Sequence, residues 1–125
     1  MYSVKIRDHM MIAHSLNHPG FGPASKMHGA TYVIDACFST QKLNEMNVVI
    51  DIAVAHKILN EIVQTLTFKN LDELAQFYGK ITTTEFLANY IHGQIARHPA
   101  LKFDGQLEVT LGESHVAWAS YSGPV

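Results

Sequence analysis

His28-Gly-Ala-Thr-Tyr-Val-Ile-Asp-Ala-Cys-Phe-Ser39 is the stretch on which the fold turns, because it alternates strictly. His28, Ala30, Tyr32, Ile34, Ala36 and Phe38 share one parity, and a period of two is that of a strand with one face against a core. Toward the N-terminus, residues 2–14 repeat the pattern, with Tyr2, Val4, Ile6, Met10, Ile12 and His14 on one face and Ser3, Lys5, Arg7 and His9 on the other. The thirteen residues between these strands include Asn17, Pro19, Gly20, Gly22 and Pro23, a loop composition. Such a loop exceeds the usual hairpin length of about two to five residues, which makes it a functional candidate. Antiparallel pairing brings His14 and His28, which flank the loop, to the same end of the sheet.

Toward the C-terminus the period changes. Ile52, Ala55, Ile58, Leu59, Ile62, Val63 and Leu66 recur at three- and four-residue spacing, predicting an amphipathic helix over 51–66 with Asp51 as its N-cap. A second helix runs from about Thr83 to His98 on a stripe of Leu87, Ile91 and Ile95. Thr82 and Glu85 have capping-box spacing, and Pro99 stops the helix. Residues 106–112 and 116–122 return to short strands. The order ββααββ predicts an α+β fold: a four-stranded antiparallel sheet with two helices on one face, residues 1–125 forming a single domain. The last strand carries no charge, so its edge favours pairing with another copy over a monomer.

Composition excludes several classes. The chain has 125 residues, 47% of them hydrophobic and 16% charged, with a net charge of −2. That balance, without a basic run, gives no case for nucleic acid or an anionic membrane surface. No apolar run approaches the roughly 18 residues that span a bilayer. The single cysteine, Cys37, has no partner for an internal disulfide. The N-terminus alternates as a strand and lacks a signal-peptide stretch, so a cytoplasmic location is the expectation.

Six fragments lie in order on these elements: Ala13-His14, His28-Gly-Ala30, Val48-Val-Ile-Asp51, Leu66-Thr-Phe-Lys-Asn-Leu-Asp72, Thr83-Thr-Glu85 with Leu87-Ala88, and Val109-Thr-Leu-Gly-Glu-Ser114 followed by Ala119-Ser-Tyr121. Together they resemble the 6-pyruvoyl-tetrahydropterin and 6-carboxytetrahydropterin synthases. The resemblance implies the tunnelling fold, in which ββααββ subunits join edge to edge into a β-barrel, commonly as two stacked trimers, hence a homohexamer. It also implies a pterin-like ligand. In that family three histidines hold zinc, and a Cys/Asp/His set moves protons on the dihydropterin side chain. Here the Cys position reads Ala24, the third zinc ligand Ala30, and the Asp-His pair Thr67-Phe68. His14 and His28 are thus vestigial ligands, and two imidazoles make a poor zinc site. Zinc is expected to be absent or weakly held, no other cofactor is implied, and the standard synthase activity is expected to be lost. Cys37 does not replace Ala24, since nine residues of strand carry it about 30 Å from His28.

The pterin-anchoring positions remain. Glu113 corresponds to the carboxylate that accepts from the N2/N3 donor edge of a pterin. Thr83, Thr84 and Glu85 correspond to supporting contacts, which the family draws from a neighbouring subunit. Glu85 serves equally as the partner of a Thr82 cap. His14, His28 and His115 are acid/base candidates, since imidazole titrates near neutrality. His18 or His115 are candidates for a third metal ligand, and Lys26 for contact with an anionic tail. His9, His56, His92 and His98 fit surface positions, and Trp118 a core or interface aromatic. Two functions stay open: an enzyme acting on a pterin-like heterocycle by altered chemistry, or a non-catalytic pterin-binding or structural hexamer.

Overall fold

The two alternating stretches form strands β1 (Tyr2–His14) and β2 (His28–Thr40), which pair antiparallel from Tyr2 opposite Thr40 to His14 opposite His28. They belong to a computed structural model that describes all 125 residues. The two C-terminal strands, β4 (Gln106–Ser114) and β5 (Ala117–Pro124), form a hairpin, and β4 pairs antiparallel with β2. The sheet has five strands rather than the expected four. Lys69–Asn70, β3, runs parallel to β1 opposite Ile12 and Ala13, giving the order β3-β1-β2-β4-β5. Two residues are too few to alternate, so β3 leaves no periodic signal.

Helix α1 (Ile52–Gln64) starts at Asp51, whose carboxylate accepts from the Ala53 and Val54 amides. Helix α2 (Thr84–Ala96) is capped by Thr83, whose hydroxyl oxygen accepts from the Phe86 amide at 3.1 Å. The expected Thr82 capping box is therefore displaced by one residue. Three consecutive threonines offer the same cap chemistry, and Thr82 is the one drawn into the core.

One face of the sheet carries Ile6, Met10, Ile12, Tyr32, Ile34, Ala36, Phe38, Leu107, Val109 and Leu111 into a single core. Ile58, Leu59, Ile62 and Val63 of α1 and Leu87, Ile91 and Ile95 of α2 close it, so both helices lie on that face. Helix α1 packs over β1, and α2 over β4 and β5. Each such side chain contributes roughly 1.5–3 kcal/mol by leaving water. His92 departs from its surface expectation. It is buried where α2 crosses β5, its Nε2–H donating to the Gly123 carbonyl at 3.2 Å and its ring edge-on to Tyr121. His9 and His56 are exposed, whereas His98 is half-buried and meets Glu61 at 2.6 Å. β5 forms one margin of the sheet, and β3 covers only a short part of the other. No helix is long and apolar enough to cross a membrane.

Candidate functional site

The β1–β2 register sets His14 against His28, and their rings meet edge to face with centroids 4.7 Å apart. His14 is only 2% exposed, and its Nδ1 shares a 2.9 Å hydrogen bond with the Thr82 hydroxyl. Burial lowers its pKa below the ordinary histidine value, and the neighbouring His28 charge lowers it further. Asp72, Thr82 and Glu113 oppose that shift without reversing it. His14 is accordingly a neutral imidazole at physiological pH. His28 is less buried, and its Nδ1–H donates to the Lys26 carbonyl at 2.8 Å. A carbonyl only accepts, so the neutral ring keeps its lone pair on Nε2.

Tyr32 follows His28 by four residues on the same face and is 1% exposed. Its ring lies edge-on to His14 at 6.5 Å, and its hydroxyl is 3.4 Å from that of Thr84. Burial raises the phenol pKa, and Glu113 and Glu85 push it the same way, against the Thr84 contact. Tyr32 thus stays protonated between the histidine pair and the carboxylates.

Glu85 comes from the first turn of α2, and Glu113 is placed by the β4–β5 hairpin. Gly112 pairs with Trp118 and Ser114 with Ala117, so Glu113 is the extra residue of a bulge. A bulge re-aims the side chain it carries. Glu113 lines a hollow of about 220 Å³ with Thr84, Glu85, Ala117, Trp118 and Ala119. It also lines a wider hollow of about 520 Å³ that includes Arg7, Thr31, Val33, His115 and Trp118. Thr84, Glu85 and Glu113 therefore meet within one chain, where the family resemblance implies a neighbouring subunit for the supporting threonine and glutamate. Thr83 is not in either lining and is engaged as the α2 cap.

The positions that depart from the family pattern are structured. Ala24 lies in the 3-10 turn Pro19–Ser25 of the long loop, and its carbonyl accepts from the Leu16 amide. Ala30 is half-buried on β2, two residues from His28 on the same face. Thr67 and Phe68 sit on the margin of β1: the Thr67 hydroxyl accepts from the Met11 amide, and the Phe68 amide donates to the Met11 carbonyl at 2.6 Å. Phe68 has φ of 60° and its side chain is 81% exposed.

These donors do not fit a catalytic zinc. Such a site needs three protein ligands and an open position, and no three His, Cys, Asp or Glu side chains are gathered to hold a metal ion. Neither proposed third ligand joins the pair. His18 uses its Nδ1 to accept from the Gly20 amide, and His115 lies in the wider hollow beyond Glu113. Lys26 is exposed in the loop beside His28.

Four residues of this region escape a reading of the sequence alone. Thr82 looks like a helix cap and Tyr32 like plain core. Asp72 accepts from both the amide and hydroxyl of Ser15, which fixes the chain just beyond His14. Trp118, expected in the core or at an interface, is 63% exposed and lies outside the core of this chain. Only the hydroxyl at a core-facing strand position, Tyr32, carries a sequence signal, since a buried phenol needs a partner.

A mostly antiparallel five-stranded sheet with two helices on one face, and a carboxylate held by its last hairpin, defines an α+β protein of the tunnelling fold. The chain belongs to the 6-pyruvoyl tetrahydropterin synthase family, which it matches over residues 3–124. Its structure is similar to that of the Caenorhabditis elegans 6-pyruvoyl tetrahydropterin synthase, with a TM-score of 0.82 at 22% identity over 98% of this chain and 95% of the other. The Plasmodium vivax enzyme gives 0.79 at 16% identity over 100% of both chains. The Plasmodium falciparum enzyme gives 0.72 at 15% over 98% and 99%. At these identities the likeness concerns the fold. No curated protein matches the chain.

Proposed function

We propose that this protein binds a pterin-like heterocycle at Glu113 and acts on it, if at all, by chemistry other than the zinc-dependent synthase reaction. The observation that carries this reading is the meeting of Glu113, Thr84 and Glu85 in one hollow of the chain. A carboxylate accepts two parallel hydrogen bonds from the adjacent N–H groups of a pterin's N2/N3 edge. Ala24, Ala30, Thr67 and Phe68 carry neither a metal ligand nor a proton-transfer group, so the usual reaction lacks its reagents. Zinc is weakly held or absent in this reading.

Among the acid/base candidates, His28 has the free Nε2 lone pair, while His14 is buried and tied to Thr82. His115 lines the wider hollow together with Glu113, the side on which a substituent of the bound ring would lie. The engagement of His14 favours the second reading, a pterin-binding protein without turnover. In either case the uncharged β5 margin fits edge-to-edge assembly into a homohexameric barrel of two trimers, in the cytoplasm, with neither nucleic acid nor membrane as partner. Sedimentation velocity tests the assembly, and a stable monomer would exclude it.

Calorimetry with neopterin or biopterin tests the ligand. Glu113→Ala should weaken binding by about 1.5–3 kcal/mol, the cost of leaving donors unpaired against a lost charged acceptor. No heat at millimolar ligand, or equal affinity in Glu113→Ala, removes the pterin reading.

A further inference from the structure

Resting on that reading of the Glu113 site, we propose that Trp118 is its stacking platform: the indole takes the flat face of the heterocycle whose donor edge Glu113 holds. Trp118 is 63% exposed, so its indole is open to a ligand at the hairpin that carries Glu113. None of the aromatic contacts within the chain involves Trp118. Its cross-strand partner is Gly112, and a Cβ there would come within 2.9 Å of the indole Cδ1 and Nε1. The missing side chain lets the ring lie against β4 immediately beside the bulged Glu113.

The consequence is a shared geometry. Glu113 and Trp118 are the two residues common to both hollows, so carboxylate and indole together border each of them. Ala117 and Ala119 flank the indole with small side chains. A fused bicyclic heterocycle presents a donor edge in its plane and a polarised π-face at right angles to it. A carboxylate and an indole recognise those two features independently, as stacking and hydrogen bonding do for nucleobases. The ligand class is therefore a flat, amidine-edged bicycle, with any polar substituent directed toward Arg7 and His115 in the wider hollow. Trp118 acts here as a positioning and specificity residue.

Trp118 is the chain's only tryptophan, so its emission reports on this site alone. Neopterin titrated into the full-length protein should change the indole emission with the same midpoint as calorimetry. Trp118→Phe should bind within a few-fold of the parent, while Trp118→Leu and Trp118→Ala should bind about 5- to 150-fold more weakly. Sedimentation of each variant should match the parent. Unchanged emission at calorimetric saturation, or a Leu variant as tight as the Phe variant, overturns the stacking role and leaves the Glu113 reading standing. Loss of assembly together with binding in the Leu variant assigns Trp118 to contact between copies and also overturns it. Absence of calorimetric binding in the parent removes both readings.

Discussion

Thr82→Val removes one hydroxyl from beneath the histidine pair while keeping the branched shape of the side chain. Thr82 is 1% exposed, and its hydroxyl is the hydrogen-bond partner of the buried His14 Nδ1. The valine variant removes the side-chain partner of that nitrogen where water does not reach, and keeps only the Thr82 backbone near the ring. Leaving a buried polar group unpaired costs about 1–3 kcal/mol. At this chain length about 4 °C of melting temperature corresponds to each kcal/mol, so the midpoint should fall by about 4–12 °C. Urea and thermal unfolding at fixed protein concentration measure it. The same series read across pH tests the state of His14. Its folded pKa is lowered, so the unfolded chain binds the extra proton first as the solution is acidified. Stability should be full above about pH 6.5, the unfolded histidine value, and should decline as pH falls through the folded pKa. His14→Gln, which does not titrate, should flatten that decline. A valine variant within about 0.5 kcal/mol of the parent near neutrality would refute the buried hydrogen bond, since such small changes are typical of surface sites. A parent whose acid-side decline is unchanged by His14→Gln would refute the neutral buried imidazole.

Ala30→His adds a third imidazole on the face that carries His28, diagonal to His14 across the β1–β2 pair. Zinc content by elemental analysis should rise toward one ion per subunit, and equal zinc in parent and variant would contradict the vestigial-site reading. Asp51→Ala removes the oxygen that accepts from the Ala53 and Val54 amides and should destabilise the fold by about 1 kcal/mol in urea titration. The unaltered chain should not convert dihydroneopterin triphosphate to 6-pyruvoyl- or 6-carboxytetrahydropterin, as followed chromatographically. The missing acid/base groups alone are worth about 10²–10⁴-fold, so efficient turnover would mean that other residues move the protons.

The long strands and α1 were legible because each maintains one period over many residues. Met10, Ile12, Tyr32 and Ile34 all face the core that alternation assigns them. The first and last members of elements were less so. At Thr82–Thr84 three identical side chains compete for one cap, and only tertiary burial chooses among them. The site divides in the same way. His14 and His28 announce themselves by flanking a loop, and register alone brings them together. Thr82 reaches His14 from 68 residues away, and no local pattern encodes that meeting. Trp118 sits in an alternating strand that offers it to either face; the bulge at Glu113 decides its surroundings. His92 lies one residue off the α2 stripe, and its burial comes from β5 crossing beneath it.

Phe68 holds a left-handed backbone, a conformation worth about 1–2 kcal/mol against a non-glycine residue. Its exposed ring gains nothing in return from packing. The bend is imposed from outside: Met11 clasps the segment through its carbonyl on the Phe68 amide and its amide on the Thr67 hydroxyl. The direction in which residue 68 projects is thus a property of the main chain and of β1, indifferent to the side chain attached. Position 68 behaves as a socket rather than as a fitted part, while the Thr67 hydroxyl belongs to the clasp. New chemistry at this margin can arrive or depart by single exchanges, without the strand beside it having to change course.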